Sequence, residues 1–355
     1  MSPASIREVL YQGDHYVRGL VRGRALARTL RVPAVHGVSM GFVRDCRDMA
    51  EAFYPPVGAE FEGIVEGGGF GAERMMAHYY ARLESRLGCT MVGVSSERHR
   101  DAGSLVGRNY DWATEDLQWC ELHRYRPPDA LARVGYTHHW AGCTDVLNEA
   151  GLYCAIASLP PEPVRGPGVQ WNVVLEKVTE TCRGVDEAVE VCASTDHLRP
   201  MSYLLADAAG AVAVVEATPS EVRVREPGRG LVLAANATQG GRILSQTTAT
   251  GRNVPVPGEQ PRSYDGGEDR AMRRVRRALA MLAGAERIAA EDLERVLSDH
   301  EAPICTGRHE RGPSDEVPTR VPWSTIWSGI CRPADGVFLI APGQPCRESY
   351  VEFRL

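Results

Sequence analysis

Lysine is almost missing from this 355-residue chain: Lys177 stands alone, and the other 39 of the 40 basic residues are arginine. Arginine keeps its charge and forks onto carboxylates, although the codon bias of a GC-rich genome is the better explanation of the composition. Basic residues are outnumbered by 46 acidic ones, and the net charge of -6 argues against a nucleic-acid partner. No uninterrupted apolar run approaches the roughly 20 residues of a membrane helix. The start, MSPASIREVLYQGDHY, carries no apolar stretch of signal-peptide type. The expectation is a cytoplasmic protein with reduced thiols and no membrane partner. The ten cysteines contain no CxxC, and the ten histidines no HxH or HExxH. Zinc knuckles, thioredoxin-type pairs and histidine metal sites are therefore not expected.

What is present is an ordinary globular mixture, 43% hydrophobic and 24% charged, long enough for one large or two medium domains with a buried core. The first 88 residues read as mainly helical, with helical spacing over Asp14 to Leu30 and over Glu73 to Leu87. From Cys89 the character changes to short β-type runs at 89–94, 104–110, 152–158, 202–207, 211–217, 221–225 and 230–236. Ala208-Ala209-Gly210 reads as a hairpin turn. Two helices interrupt these strands: Trp171, Val174, Leu175, Val178 and Cys182 share one face, then Val185, Ala188, Val189 and Cys192 another. A third helix follows the Pro/Gly-rich stretch 251–267, with Met272, Val275, Leu279 and Leu282 expected inward. Arg270, Arg273, Arg274, Arg276 and Arg277 are expected on its outer face. Strands return around 323–330, 336–341 and 348–354. This order suggests packed antiparallel sheets covered by helices.

Four signals compete for the chemistry. Gly37-Val38-Ser39-Met40-Gly41 fits a GxSxG nucleophile elbow, but no βαβ alternation builds the parallel sheet that motif needs, so a chance match is the better reading. The glycines at 67–69 lack the Lys-Ser/Thr of a phosphate loop and read as the flexible start of a helix. His138 and His139 are neighbours, point to opposite sides of a strand, and so cannot form a metal pair. The strongest signal is Gly88-Cys89-Thr90 at a strand start, followed by Gly107-Arg108-Asn109-Tyr110-Asp111-Trp112 at the end of the next strand. A hairpin would bring Arg108 and Asp111 beside Cys89, where a guanidinium stabilises the thiolate and lowers its pKa.

Cys-Thr followed by GRNxDW resembles the N-terminal-nucleophile (Ntn) cysteine hydrolases: the choloylglycine hydrolase and penicillin V acylase group, and the acyl-coenzyme A:6-aminopenicillanic acid (isopenicillin N) acyltransferase family. Asn148-Glu149-Ala150-Gly151-Leu152 is similar to the family's NExGL motif, 173–189 to its helix pair, Tyr203 to Glu216 to its hairpin, and Gly343-Gln344-Pro345-Cys346 to its terminal GxPC. The leader of 88 residues, with Tyr16, Gly19 and Gly23, resembles the acyltransferase branch. The resemblance implies an αββα sandwich, with residues 1–88 and 89–355 forming one structural domain and staying together after self-cleavage between Gly88 and Cys89.

The implied chemistry needs no histidine. The Cys89 thiol attacks the Gly88 carbonyl, an N-to-S acyl shift and hydrolysis follow, and the freed α-amine serves as general base for its own thiol. Asp111 would hold that amine, Arg108 the thiolate, and Asn236 the oxyanion, with Asn148 a second candidate donor. Arg270, Arg273 and Arg276 are all candidates for the family's helical arginine; Arg273 is the choice, with Arg308 a rival. The family's Thr-Asn-His reads Ala235-Asn236-Ala237 here, so substrate preference is expected to differ. The expected activity is cleavage of a linear amide, or transfer of its acyl group to an amine, through a Cys89 thioester. The alternatives are a plain amidase on N-acyl or N-aminoacyl small molecules and a catalytically silent binding relative. No nucleotide, metal or flavin cofactor is implied, and an acyl-CoA donor enters only if the enzyme transfers rather than hydrolyses.

Overall fold

The computed structural model describes residues 6–28, 38–83, 88–137, 142–246, 267–307 and 323–355. Gly37, His138, His139 and Arg308 lie outside the described residues. The leader holds β1 (Arg7–Gln12), α1 (His15–Leu26), α2 (Met40–Phe53), α3 (Pro56–Gly68) and α4 (Ala72–Tyr80). The body continues with β2 (Thr90–Val94), β3 (Leu105–Ala113), β4 (Glu121–Arg126), β5 (Arg133–Thr137), β6 (Asp145–Asn148) and β7 (Leu152–Ser158). Then come α5 (Trp171–Thr181), α6 (Val185–Ala193), β8 (Met201–Asp207), β9 (Val212–Ala217), β10 (Glu221–Arg225), β11 (Leu231–Ala235) and β12 (Arg242–Gln246). The chain closes with α7 (Gly267–Leu282), α8 (Ala290–Leu297), β13 (Trp323–Arg332), β14 (Val337–Ala341) and β15 (Val351–Arg354).

The strands form two sheets, in the orders β1-β4-β5-β6-β7-β8-β9-β10-β12 and β11-β2-β3-β13-β14-β15. Strand side chains alternate between faces, and this alternation builds four layers. On β7, Tyr153, Ala155 and Ala157 enter the core between the sheets, while Leu152, Cys154 and Ile156 join the core under α2 to α6. On β2, Met91 points between the sheets, while Val92 and Val94 meet Val275 of α7 and Leu293 of α8. The result is the expected αββα sandwich. One pairing departs from the expectation of two antiparallel sheets: β1, which the helical reading of the leader did not contain, runs parallel to β4 at the sheet edge.

Two other local expectations are corrected. Leu279 of α7 is 40% exposed, because Ala271, Arg274, Val275, Ala278 and Leu282 make up the buried face. The glycines at 67–69 end a helix rather than start one, with Gly69 at φ 63 as the left-handed C-cap of α3. A Cβ at Gly19, Gly23, Gly63 or Gly67 would overlap the backbone of the facing helix, so α1 and α3 pack backbone to backbone. The leader also joins the body through buried ion pairs. Arg18 of α1 reaches Glu180 of α5 at 2.8 Å, and His15 reaches the same carboxylate at 2.7 Å.

Candidate active site

Three adjacent strand ends assemble one cluster. The β2–β3 hairpin sets Thr90 opposite Asn109 and Met91 opposite Arg108, which brings Arg108 back to Cys89. On the other side β11 sets Ala235 opposite Thr90, so Asn236, just beyond the strand, meets Cys89, just before it. Beyond β3, β13 sets Thr325 opposite Asp111. Cys89, Arg108, Asp111 and Asn236 are all buried. Arg108 Nη2 lies 3.2 Å from Cys89 Sγ, and the Cys89 N–H donates to Asn236 Oδ1 at 2.7 Å. Cys89 borders a cavity whose lining includes Tyr110, Trp112, Trp171, Arg82 and Arg199.

The helical arginine of this cluster is Arg274, not Arg273. Arg274 Nη1 reaches Asp111 Oδ2 at 3.2 Å and Nη2 reaches Asn236 Oδ1 at 2.9 Å, while Arg273 sits on the exposed face of α7. Asn148 is likewise outside the cluster. Its Nδ2 donates to the Thr179 and Cys182 carbonyls at the end of α5, and its Oδ1 accepts from Ala150 and Leu152, so both ends of the amide hold the β6–β7 turn. Ser39 caps α2 by accepting from Phe42 N–H, which explains the GxSxG match as a helix N-cap.

Sequence reasoning missed Asp145, Thr306 and Thr325. Asp145 forms a buried ion pair with Arg108 and accepts from Tyr153 Oη at 2.6 Å. The Arg108 guanidinium lies against the stacked rings of Tyr110 and Trp327, 4.6 and 5.0 Å from their centroids. Thr325 and Thr306 donate to the Asp111 carboxylate at 2.6 and 3.1 Å. A motif search has no handle on Asp145, whereas Arg274 follows from period alone: it stands three residues after Ala271 and four before Ala278 on the buried face.

The electrostatics correct one expectation. Burial raises the Cys89 thiol above its ordinary pKa and outweighs Arg108, which acts in the opposite direction. A lowered thiol is not the property of the chain with its Gly88–Cys89 peptide intact. Burial also pushes Asp111 up to about 6, against the pull of Arg274, Thr325 and Thr306. Asn236 Oδ1 receives both Cys89 N–H and Arg274, and Nδ2 donates to the Ser158 carbonyl at 2.8 Å. An amide nitrogen has two hydrogens, so Nδ2 can hold Ser158 and still donate to a reacting oxygen. At Gly88, an added Cβ would lie 2.9 Å from Asp111 Cβ and 2.8 Å from Trp323 Nε1. Only glycine fits there without a shift.

No curated protein matches the chain. Among solved structures, a mutant of conjugated bile acid hydrolase from Clostridium perfringens is similar at 15% identity and a TM-score of 0.48, covering 75% of this chain and 97% of that one. Penicillin V acylase from Agrobacterium tumefaciens is similar at 14% identity and a TM-score of 0.41, covering 76% and 86%. Residues 98–345 match the model of the acyl-coenzyme A:6-aminopenicillanic acid acyl-transferase family. That span holds Arg108, Asp111, Asn236 and Arg274 and amounts to well over half of the sequence, so the chain belongs to the acyl-coenzyme A:6-aminopenicillanic acid acyl-transferase family.

Proposed function

We propose that the protein is a cysteine Ntn enzyme that cuts its own chain between Gly88 and Cys89. It then cleaves a small linear amide, or passes the acyl group to an amine, through a Cys89 thioester. The observation that carries this reading is the contact of Arg108 Nη2 with Cys89 Sγ at 3.2 Å, in the same buried cluster where Asn236 receives the Cys89 N–H. In the cut protein the α-amine of Cys89, with an ordinary pKa of roughly 7.7–8.0, takes the thiol proton as sulfur adds to the substrate carbonyl and returns it to the leaving amine. Arg108 stabilises negative charge on sulfur, Nδ2 of Asn236 donates to the oxyanion, and Asp111 with Arg274 orients the amine and the amide. Water or a second amine then resolves the thioester. The leader stays bound after the cut, supported by the buried Arg18–Glu180 pair that crosses between the two pieces. Intact mass spectrometry of freshly purified protein is expected to show two species, residues 1–88 and 89–355, with an acyl adduct on the second after reaction with an activated acyl donor. One full-length species with amidase activity would sink this mechanism.

The Asp111 carboxyl gives this reading a pH signature. Asp111 must be ionised to hold an ammonium, and its carboxyl, pushed up to about 6 in the uncut chain, adds a second acid limb below that of the α-amine. Activity is expected to fall further as pH drops through about 6. Removing a carboxylate hydrogen bond with Thr325→Val should move this second limb to higher pH, since Thr325 favours the ionised form. Stability has the opposite sign. A carboxyl whose folded pKa is raised stabilises the fold below its unfolded pKa, and that contribution is lost as pH rises through about 6. A pH–rate profile identical in wild type and Thr325→Val would remove Asp111 from this role.

A further inference from the structure

Near Asp111, the segment after α8 meets the turn after β14. His300, Cys305 and Cys346 converge there, with one ligand atom from each lying within 4.8 Å of the others. The two sulfurs are 3.6 Å apart. Cys305 is buried, Cys346 half-buried and His300 exposed, so the group opens toward solvent on the histidine side. None of these residues belongs to the Cys89 cluster, and the proposal made for them does not depend on that chemistry.

We propose that His300, Cys305 and Cys346 bind a thiophilic metal ion of the Zn2+ type, with water as the fourth ligand. Two thiolates on a tetrahedral zinc at about 2.3 Å each stand roughly 3.8 Å apart, close to the spacing already present. A disulfide would instead require the sulfurs to close to about 2.05 Å. Thiolate and imidazole donors select zinc over magnesium or calcium, which take oxygen ligands. Binding releases the two thiol protons: one Zn2+ and two thiols give the dithiolate complex and two H+. Because thiol protons leave on binding, uptake is expected to strengthen with rising pH.

The position gives the ion a consequence. Thr306, next to Cys305, donates to Asp111, and Gln344, two residues before Cys346, donates to the Thr306 carbonyl at 2.8 Å. An ion bridging Cys305 and Cys346 would join the two segments that set Thr306 against Asp111. It is a staple for a positioning residue, not a participant in the chemistry.

The test is a Zn2+ titration of the full-length protein, reduced with a phosphine, in competition with a chromogenic chelator. Co2+ spectra report the ligand set. The expected result is one ion per chain, with thiolate-to-metal charge transfer, lost in Cys305→Ser and in Cys346→Ser. His300→Ala, at an exposed position where folding is not at stake, should weaken binding by about tenfold or more. Three outcomes overturn the proposal. One is no competitive uptake by the wild type. Another is uptake unchanged in all three variants, which would place the ion on other cysteines. The third is a stable Cys305–Cys346 cross-link, two hydrogens lighter, that persists under the reducing conditions and marks the pair as a disulfide.

Discussion

Cys89→Ala is expected to leave a single full-length polypeptide with no activity on external amides, whereas Cys143→Ala should still be cut. The contrast is informative because Cys143 has what a search for a catalytic thiol would seek: its Sγ lies 3.7 Å from Nδ1 of His123. Burial, however, pushes the Cys143 thiol up to about 12, with Arg22 and Arg133 only partly offsetting it. Cys143 also follows a glycine, Gly142, just before β6, so the Gly–Cys junction alone does not choose between the two thiols. Cys89 has Arg108 on its sulfur and Asn236 on its nitrogen. Removing a nucleophile from a concerted site costs on the order of a million-fold in turnover, so residual activity near wild type in purified Cys89→Ala would transfer the chemistry elsewhere. Electrophoresis under denaturing conditions reads the cut, and amide hydrolysis reads the catalysis. Both should fail together in Cys89→Ala and in no other cysteine variant.

Most strands that sequence reading found have apolar runs that face a core on both sides, such as LYCAIAS of β7 and AVAVVEA around β9. Among the missed ones, β4, β5 and β6 read as polar: ELHRYR, RVGYT and DVLN. Several of their charges are buried in pairs rather than solvated. Arg133 of β5 pairs with Glu176 and Glu180 of α5, and Asp145 of β6 pairs with Arg108 of β3. An ion pair satisfied across elements leaves no trace in a local pattern, so a periodicity argument reads the same residues as loop. The helix α3 was hidden for a related reason. Its glycines lower intrinsic helicity, yet Gly63 and Gly67 are needed where α1 and α3 touch backbone to backbone.

In the site, strand pairing made Cys89, Arg108 and Asp111 legible, because one hairpin brings the two ends of GCT and GRNYDW together. Asn236 was legible only through the resemblance, since its place depends on β11 lying beside β2. Arg274 was not among the helical arginines considered, because it was placed on the outer face of α7, whereas Ala271, Val275 and Ala278 set the buried face on which it lies. Thr306 and Thr325 reach Asp111 from segments far along the chain. No spacing rule connects residues about two hundred positions apart.

Asp145 offers the largest expected effect away from the nucleophile. The Arg108 guanidinium is fully buried, and its contacts are Asp145, the Ile156 carbonyl at 2.9 Å, the Cys89 sulfur and two aromatic faces. Of these only Asp145 carries a full negative charge while the thiol is protonated. Asp145→Ala should therefore strand a buried cation, and removing one partner of such a pair costs about 3–5 kcal/mol. Urea unfolding at neutral pH reads this loss directly. Self-cutting should slow as well, because Arg108 would no longer be held against the sulfur at 3.2 Å. The double variant Asp145→Leu/Arg108→Met separates the two roles. Replacing both charges by apolar groups of similar volume is often neutral or stabilising, so folding should recover while cutting and turnover should not. If the double variant regains activity, Arg108 is only a structural counter-ion to Asp145. If Asp145→Ala unfolds at the wild-type urea concentration, the pair carries no stability and the site does not depend on it for shape.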